Sequence, residues 1–263
     1  MPSSAKRSQR STRRTTTTNV DDATLSRPLI SAARALSESV EQLRFEAPVT
    51  HVYNPLRYAW SMHRQYLEFA KPTVQHLLLG MNPGPWGMVQ SGIPFGEVAL
   101  VREWLGIVDG YDCEVPQHAK RPLSGLMCSR SEVSGVRLWT LMKERFGTPE
   151  AFFKEHMIFN YCPLAFLEDS GRNRTPDKLP AAEREALQAV CDKHLQRVIR
   201  SHPWRTLIGV GVYAENCLRR AAVECGYHGS VHRILHPSPA SPAANRGWAK
   251  AASQQLVRAG VWK

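Results

Sequence analysis

Several patterns that mark other classes of protein are missing from this chain of 263 residues. Its six cysteines form no Cys-x-x-Cys pair and no cluster with histidine, which argues against a zinc module or an iron–sulfur cluster. The first residues lack the apolar core of a signal peptide, and no apolar run approaches the roughly 20 residues of a membrane span. We therefore expect reduced cysteines, no metal, no cofactor and no membrane partner.

Acidic residues are scarce relative to basic ones. The formal net charge is +11, of which the first 45 residues carry +4, so the basic character extends through the rest of the chain. No acid occurs in residues 1–20, which are rich in Ser, Thr, Lys and Arg. This composition predicts a disordered basic arm over residues 1–28 that scans DNA, directs the chain to the nucleus or is a plain solvated tail. The charge suits a polyanionic partner without identifying it.

Helical and strand patterns alternate after Pro48 without a clear linker, so residues 29–263 are predicted to form a single domain. Strands are predicted at residues 74–79, 156–160, 204–212 and 230–235. Helices are predicted at residues 29–43, 58–69, 97–105, 133–146, 187–199 and 213–225. This alternation is typical of an α/β fold, and we expect three layers, α/β/α, around a central four-stranded and mostly parallel sheet.

The first predicted strand ends in a loop rich in Gly and Pro that carries Asn82. In open α/β sheets, ligands bind beyond the carboxyl ends of the strands, which is where this loop places Asn82. The glycines of the loop would let a ligand approach the backbone. The alternative is a tight turn with an incidental asparagine.

The last predicted strand also ends in a proline-stiffened loop, which begins with His236. A lone histidine is more often structural than catalytic. A histidine at one strand end, paired with an asparagine at another, is a candidate catalytic site.

Six motifs together carry a resemblance to a known family. They are residues 80–85 (Gly-Met-Asn-Pro-Gly-Pro), 92–98 (Gly-Ile-Pro-Phe-Gly-Glu-Val), 121–122 (Arg-Pro), 131–135 (Ser-Glu-Val-Ser-Gly), 160–164 (Asn-Tyr-Cys-Pro-Leu) and 236–239 (His-Pro-Ser-Pro). From residue 48 to the C-terminus the chain resembles the single-strand-selective monofunctional uracil-DNA glycosylases, members of the uracil-DNA glycosylase superfamily. The resemblance implies an enzyme that flips uracil out of DNA and hydrolyses its N-glycosidic bond, leaving an abasic site for base excision repair.

The resemblance also implies site residues. His236 would donate a hydrogen bond to uracil O2 as negative charge develops there, and Asn82 would position the water. Because a neutral amide cannot take the proton of that water, bond breaking would run ahead of attack. Phe95 would stack on the flipped base and Asn160 would read its edge, although an ordinary core phenylalanine and a buried structural asparagine are the alternatives.

The backbone from Gly84 to Met88 would lie near C5 of the base. By resemblance, this region would accept oxidised substituents such as hydroxymethyl, so the expected partner is DNA containing uracil or an oxidised pyrimidine. No lysine occurs in residues 80–95, in keeping with a monofunctional enzyme that forms no Schiff base. We expect a nuclear protein that acts as a monomer.

A final segment is predicted to press into the duplex and fill the gap left by the flipped base. It comprises Ala240, Ser241, Pro242, Ala243, Ala244, Asn245, Arg246 and Gly247. A basic residue would be expected at position 240, where this chain has alanine. Alternative functions are a mismatch-directed uracil or thymine glycosylase, a non-catalytic DNA-binding module on the same fold, and a hydrolase of small nucleotides.

Overall fold

The computed structural model describes residues 25–263. Residues 1–24 of the predicted basic arm lie outside the described residues. The first helix begins at Ser26, three residues before the predicted start, so the end of the predicted arm belongs to the fold. Its buried positions include Leu29, Ala33, Leu36 and Val40, the three- and four-residue spacing that lets a helix bury one face.

The helices and strands of the described residues, numbered in chain order, have the following bounds. The helices are α1 Ser26–Val40, α2 Pro55–Tyr58, α3 Trp60–Glu68, α4 Met88–Ser91, α5 Val98–Glu103, α6 Val133–Phe146, α7 Pro149–Phe153, α8 Ala181–Arg200, α9 Val212–Cys225, α10 Pro242–Asn245 and α11 Trp248–Arg258. The strands are β1 Val49–Tyr53, β2 His76–Gly80, β3 His156–Asn160, β4 Ala165–Glu168, β5 Asn173–Arg174, β6 Thr206–Val210 and β7 Ser230–Ile234.

A four-stranded parallel sheet forms the centre of the molecule, with the strand order β3-β2-β6-β7. Every residue of β2, β3 and β6 is buried, which is why their sequences are nearly continuous apolar runs rather than alternating ones. Helix α9 packs against β2 and β6, and α8 packs against α9 and α1. Helix α11 packs against β7 and α6. The predicted α/β/α architecture around a parallel sheet is confirmed.

A second, three-stranded antiparallel sheet was not predicted. Its order is β1-β4-β5, and β5 contains only two residues. Strands this short give little periodic signal, and they are defined by their long-range partners rather than by their own sequence. The helix predicted over residues 58–69 is also divided at Ala59 into α2 and α3.

The parallel arrangement brings the carboxyl ends of the strands to one edge of the central sheet. Gly80 at the end of β2 lies opposite Asn160 at the end of β3, and Ile234 at the end of β7 lies opposite Val210 of β6. The loops that carry Asn82 and His236 begin at this edge. Across residues 25–263, the structure contains no helix with the length and apolarity needed to span a membrane.

Candidate active site

A pocket of about 210 Å³ opens at this edge of the sheet. Its wall includes all six residues predicted to act on the base: Asn82, Gly84, Met88, Phe95, Asn160 and His236. They come from three separate stretches of the chain, which the strand order brings together. The pocket also contains Glu132, Ser134 and Asn173, to which no role was given from the sequence.

His236 is held in one protonation state and one tautomer. The backbone N–H of Ser238 donates to Nδ1 at 3.1 Å. Because an amide N–H can only donate, Nδ1 must be unprotonated, and the ring hydrogen is on Nε2. Burial lowers the pKa of His236, which favours the neutral ring. The imidazole therefore offers a single donor, Nε2–H.

A glycine packs closely against the side chain of His236. Gly211 follows β6 with φ 94°, and a Cβ atom added there would lie 3.1 Å from Cβ of His236. Both the positive φ and the close approach favour glycine at this position.

Asn82 is oriented by the loop that follows β3. Its Nδ2 donates to the carbonyl oxygen of Leu164 at 3.2 Å. Because a carbonyl oxygen only accepts, this contact identifies the nitrogen end of the amide and leaves Oδ1 as the acceptor for a water. An aspartate would place a carboxylate oxygen against the Leu164 carbonyl oxygen. The environment thus suits asparagine rather than aspartate.

Phe95 and Asn160 meet over a glycine. A Cβ atom added to Gly80 would lie 2.5 Å from Cε2 of Phe95 and would also overlap Oδ1 of Asn160. Phe95 has φ 55°, a left-handed conformation that is uncommon for a bulky residue and often occurs at functional sites. The ring centroids of Phe95 and His236 are 6.1 Å apart. Because Gly80 has no side chain, Phe95 and Asn160 can both pack against its backbone and line the pocket.

The carboxamide of Asn160 has little to bind within the protein. Asn160 is 8% exposed, and its Oδ1 has no hydrogen-bond partner among the described residues. Its Nδ2 donates to Sδ of Met88 at 3.1 Å, and a thioether is a weak acceptor. Buried amides are normally paired, so this one is available to a ligand in the pocket.

Glu132 and Asn173 are pocket residues to which sequence reasoning gave no role. Oε2 of Glu132 accepts a long hydrogen bond, 3.4 Å, from the backbone N–H of Trp86. Burial raises the pKa of Glu132. Nδ2 of Asn173 donates to the Pro83 carbonyl at 3.5 Å, whereas its Oδ1 is unpaired. The signal for Glu132 was the motif at residues 131–135, which carried the resemblance but did not by itself place this carboxyl in the pocket.

The segment predicted to contact DNA lies beside the pocket as an exposed turn and a short helix. Ser241 caps α10, with Oγ accepting from the Ala244 N–H at 3.3 Å. One prediction here needs correction: Ala244 is only 2% exposed and packs in the core, because it is on the inner side of α10. Ala240, Pro242, Ala243, Asn245, Arg246 and Gly247 are exposed, and Ser241 is half-buried.

Arg137 on α6 attaches this segment to the body of the protein. Its guanidinium donates to the Pro237 carbonyl at 3.0 Å and to Oδ1 of Asn245 at 2.9 Å. Asn245 in turn donates to the Pro239 carbonyl at 2.9 Å. No sequence motif pointed to Arg137, because its partners lie about a hundred positions away.

Within the described part of the chain, no group of three or more His, Cys, Asp or Glu side chains is placed to hold a metal ion.

Comparison with known proteins identifies relatives along most of the chain. It is 45% identical over 227 residues to the single-strand selective monofunctional uracil-DNA glycosylase of Rattus norvegicus, covering 86% of this chain and 82% of that protein. The protein of the same name from Bos taurus is also 45% identical, covering 86% of this chain and 84% of its own length. No family model matches the chain.

A solved structure supports the fold. The crystal structure of wild-type SMUG2 from Pedobacter heparinus superposes with a TM-score of 0.62 at 16% identity, covering 87% of this chain and 97% of that one. Similarity at this identity concerns the fold alone, whereas the two curated relatives share sequence over 86% of this chain. On that identity and coverage, the chain belongs to the single-strand selective monofunctional uracil-DNA glycosylase family.

Proposed function

We propose that the chain removes uracil from single- and double-stranded DNA by hydrolysing the N-glycosidic bond, which leaves an abasic site and initiates base excision repair. The observation that carries this proposal is the meeting of Asn82 and His236 in one pocket, each with its free polar atom defined by a hydrogen bond to the backbone. A base inside a duplex must be turned out to reach such a pocket.

His236 would assist the leaving group. As the bond between C1′ and N1 breaks, its electron pair passes to the uracil ring, and part of the negative charge reaches O2. A neutral Nε2–H donor aimed at that oxygen stabilises the developing anion without giving up its proton. The backbone N–H of Ser238 on Nδ1 keeps the ring in the tautomer that this step needs.

Asn82 would supply the second half of the reaction. Its Oδ1 accepts a hydrogen bond from the water that adds to the cationic sugar carbon. Since an amide is not a base at neutral pH, the water attacks a sugar that has already lost most of its bond to the base. The proton released on addition balances the charge of the uracil anion.

Asn160 would select uracil over cytosine. Its unpaired Oδ1 accepts from uracil N3–H and its Nδ2 donates to O4, a polarity that cytosine reverses. A mismatched pair of this kind leaves buried groups without partners, which is costly. Phe95 offers an aromatic face for any base and adds affinity rather than choice.

Basic residues near the pocket suit a DNA strand. Arg246 is exposed on the segment beside the pocket. Arg130 and Arg121 lie 5.0 and 5.1 Å from the ring centre of Trp86, in the loop that carries Asn82. Phosphate contacts from such residues position a protein on DNA without reading its sequence.

No lysine belongs to the wall of the pocket formed by the described residues. Breakage of the DNA strand through a Schiff base would need such an amine. The proposed reaction therefore ends at the abasic site.

Finer features are also proposed. Oxidised uracils such as 5-hydroxymethyluracil are proposed as further substrates, because Glu132 and Asn173 add hydrogen-bond acceptors to the pocket. A monomeric enzyme is proposed, since one chain supplies every site residue named above. Nuclear localisation is proposed from the basic composition of residues 1–20. Deleting these residues from a fluorescent fusion would test the last point.

The test of the main proposal is alkali-revealed cleavage of labelled single- and double-stranded oligonucleotides that carry one uracil. Cleavage is expected with both, only after alkali and only at uracil. Activity confined to uracil or thymine opposite guanine would favour a mismatch-directed glycosylase instead. DNA binding without cleavage would indicate a non-catalytic module.

A further inference from the structure

Arg137 is a half-buried arginine of α6 that contacts the loop beginning at His236. Its guanidinium has neutral acceptors: the carbonyl oxygens of Pro237 and Ser238, at 3.0 and 3.4 Å, and Oδ1 of Asn245, at 2.9 Å. In the described part of the chain it forms no ion pair. A cation removed from water needs partners that compensate for lost hydration, and here one loop and the short helix that follows it supply them.

The contact with Pro237 links Arg137 to the ring of His236. The carbonyl of Pro237 and the N–H of Ser238 belong to one planar peptide group. Arg137 donates to the oxygen of this group, and the N–H of the same group donates to Nδ1 of His236 at 3.1 Å. Because the group is rigid, holding its oxygen limits the directions that its N–H can take. A donor on the oxygen also polarises the peptide and strengthens the N–H as a donor.

Further contacts fix the guanidinium and the loop together. Asn245, which accepts from Nη2 of Arg137, donates through Nδ2 to the Pro239 carbonyl at 2.9 Å. The carbonyl of Ser238 also accepts from the Ser241 N–H at 3.0 Å. The planar guanidinium can reach acceptors on two sides at once, because its donors point in fixed directions. The orientation of the Pro237–Ser238 peptide group therefore depends on this one side chain.

We propose that Arg137 is a positioning residue that acts through the Pro237–Ser238 peptide group to keep His236 in the tautomer with its hydrogen on Nε2. The inference rests on the proposed function, since it needs His236 to act as a neutral donor. Without Arg137, the peptide group can turn, and Nδ1 loses the N–H that excludes a proton from it. The ring then exchanges between tautomers, of which only one offers the Nε2–H donor. Arg137 itself does not line the pocket.

The first experiment measures single-turnover excision of uracil with the protein in saturating excess, so that weaker DNA binding does not lower the observed rate. Arg137→Met removes the donors and keeps a long, unbranched side chain. Arg145→Met is the matched control, because Arg145 is an exposed arginine of α6 that also donates to a backbone carbonyl, that of Lys263 at 3.1 Å. If Arg137→Met does not fold, Arg137→Gln, a shorter and neutral side chain, takes its place in every comparison.

Arg137→Met is expected to slow excision by about 10- to 100-fold, the cost of misplacing a group in the site by about 1 Å. Arg145→Met should leave the rate unchanged. In a His236→Ala background, Arg137→Met should have no further effect, because the two residues act as one unit. A fall of the same size in both backgrounds would show a general structural role and overturn the inference, as would a normal rate in Arg137→Met.

A second experiment needs no substrate. The nitrogen chemical shifts of an imidazole, measured by NMR, distinguish a nitrogen that carries hydrogen from one that does not. Wild-type His236 should show hydrogen on Nε2 alone, and Arg137→Met should move both shifts towards the average of two exchanging tautomers. Shifts that stay at their wild-type values overturn the inference, even if excision slows. A wild-type protein that excises no uracil would overturn the proposed function, whereas these shifts would still decide whether Arg137 fixes the histidine.

Discussion

Replacing His236 with alanine is the most direct test of how the pocket lowers the reaction barrier. The substitution removes the Nε2–H donor, while Asn82, Phe95 and Asn160 belong to other segments of the chain. Ser238 loses only the Nδ1 acceptor for its N–H, in a loop that Arg137 still holds by its carbonyl groups. The folded pocket should therefore survive the change.

The expected size of the effect follows from the chemistry of the lost contact. Removing one preorganised donor from a site of developing negative charge costs about 2.7–4 kcal/mol, which corresponds to a rate roughly 10²–10³-fold lower. The loss should appear in the chemical step, because the donor gains strength only as charge builds on O2. Affinity for DNA should change little, since the exposed basic residues remain.

The assay is single-turnover excision of uracil, together with equilibrium binding of the same DNA. His228→Ala is a suitable control, because His228 is exposed at the opposite end of β7. A His236→Ala variant that reacts at the wild-type rate would refute the leaving-group assignment. Equal losses of binding and rate would show that the histidine acts on DNA affinity instead.

Three further results are expected. Asn82→Ala should slow single-turnover excision by about 10- to 100-fold and leave DNA affinity unchanged. This is the effect expected when the group that orients a water is lost. A normal rate would remove Asn82 from the mechanism. Gly80→Ala should slow excision and lower the free energy of unfolding by about 1–3 kcal/mol, because the Cβ of the alanine would overlap Asn160. Unaltered melting and activity would contradict the described packing. Burial lowers the pKa of three histidines from 6.5 to about 4, 3 and 4 in the folded state: His63, His156 and His194. The unfolded chain therefore binds protons that the native chain does not. The free energy of unfolding, measured in urea, should fall as pH drops from about 6.5 towards 4, by up to about 1.4 kcal/mol per pH unit for each histidine. A free energy of unfolding that does not change over this pH range would contradict the burial of these histidines in the neutral form.

The central sheet and the two main site residues could be predicted from the sequence because their signals are local. The run that becomes β2 is apolar throughout and stops at a glycine- and proline-rich loop, and β7 stops in the same way before His236. The carboxyl ends of parallel strands lie at the same edge of a sheet, where ligands bind. The prediction that Asn82 and His236 share a cavity followed from that geometry.

Other parts of the site depend on contacts across long stretches of chain, and no local pattern reveals those contacts. Glu132 meets Gly84 and Gly87 only after α6 has docked beside the loop. Arg137 meets Asn245 across more than a hundred residues. Strands β4 and β5 are too short to give a periodic sequence signal, although β5 places Asn173 in the pocket. The burial of Ala244 likewise depends on how α10 packs, which eight residues of loop sequence do not show.

Helix α6 has a consequence for how distant substitutions will behave. Glu132, just before its first residue, reaches into the pocket, and Arg137 one turn later grips the loop that begins at His236. Its inner side carries Leu138 and Trp139, both fully enclosed. Truncating either side chain would shift α6. Because Glu132 and Arg137 move with this helix, the pocket and the loop that begins at His236 would change together. A screen for lost repair would then score such variants as catalytic defects, although neither residue lines the pocket.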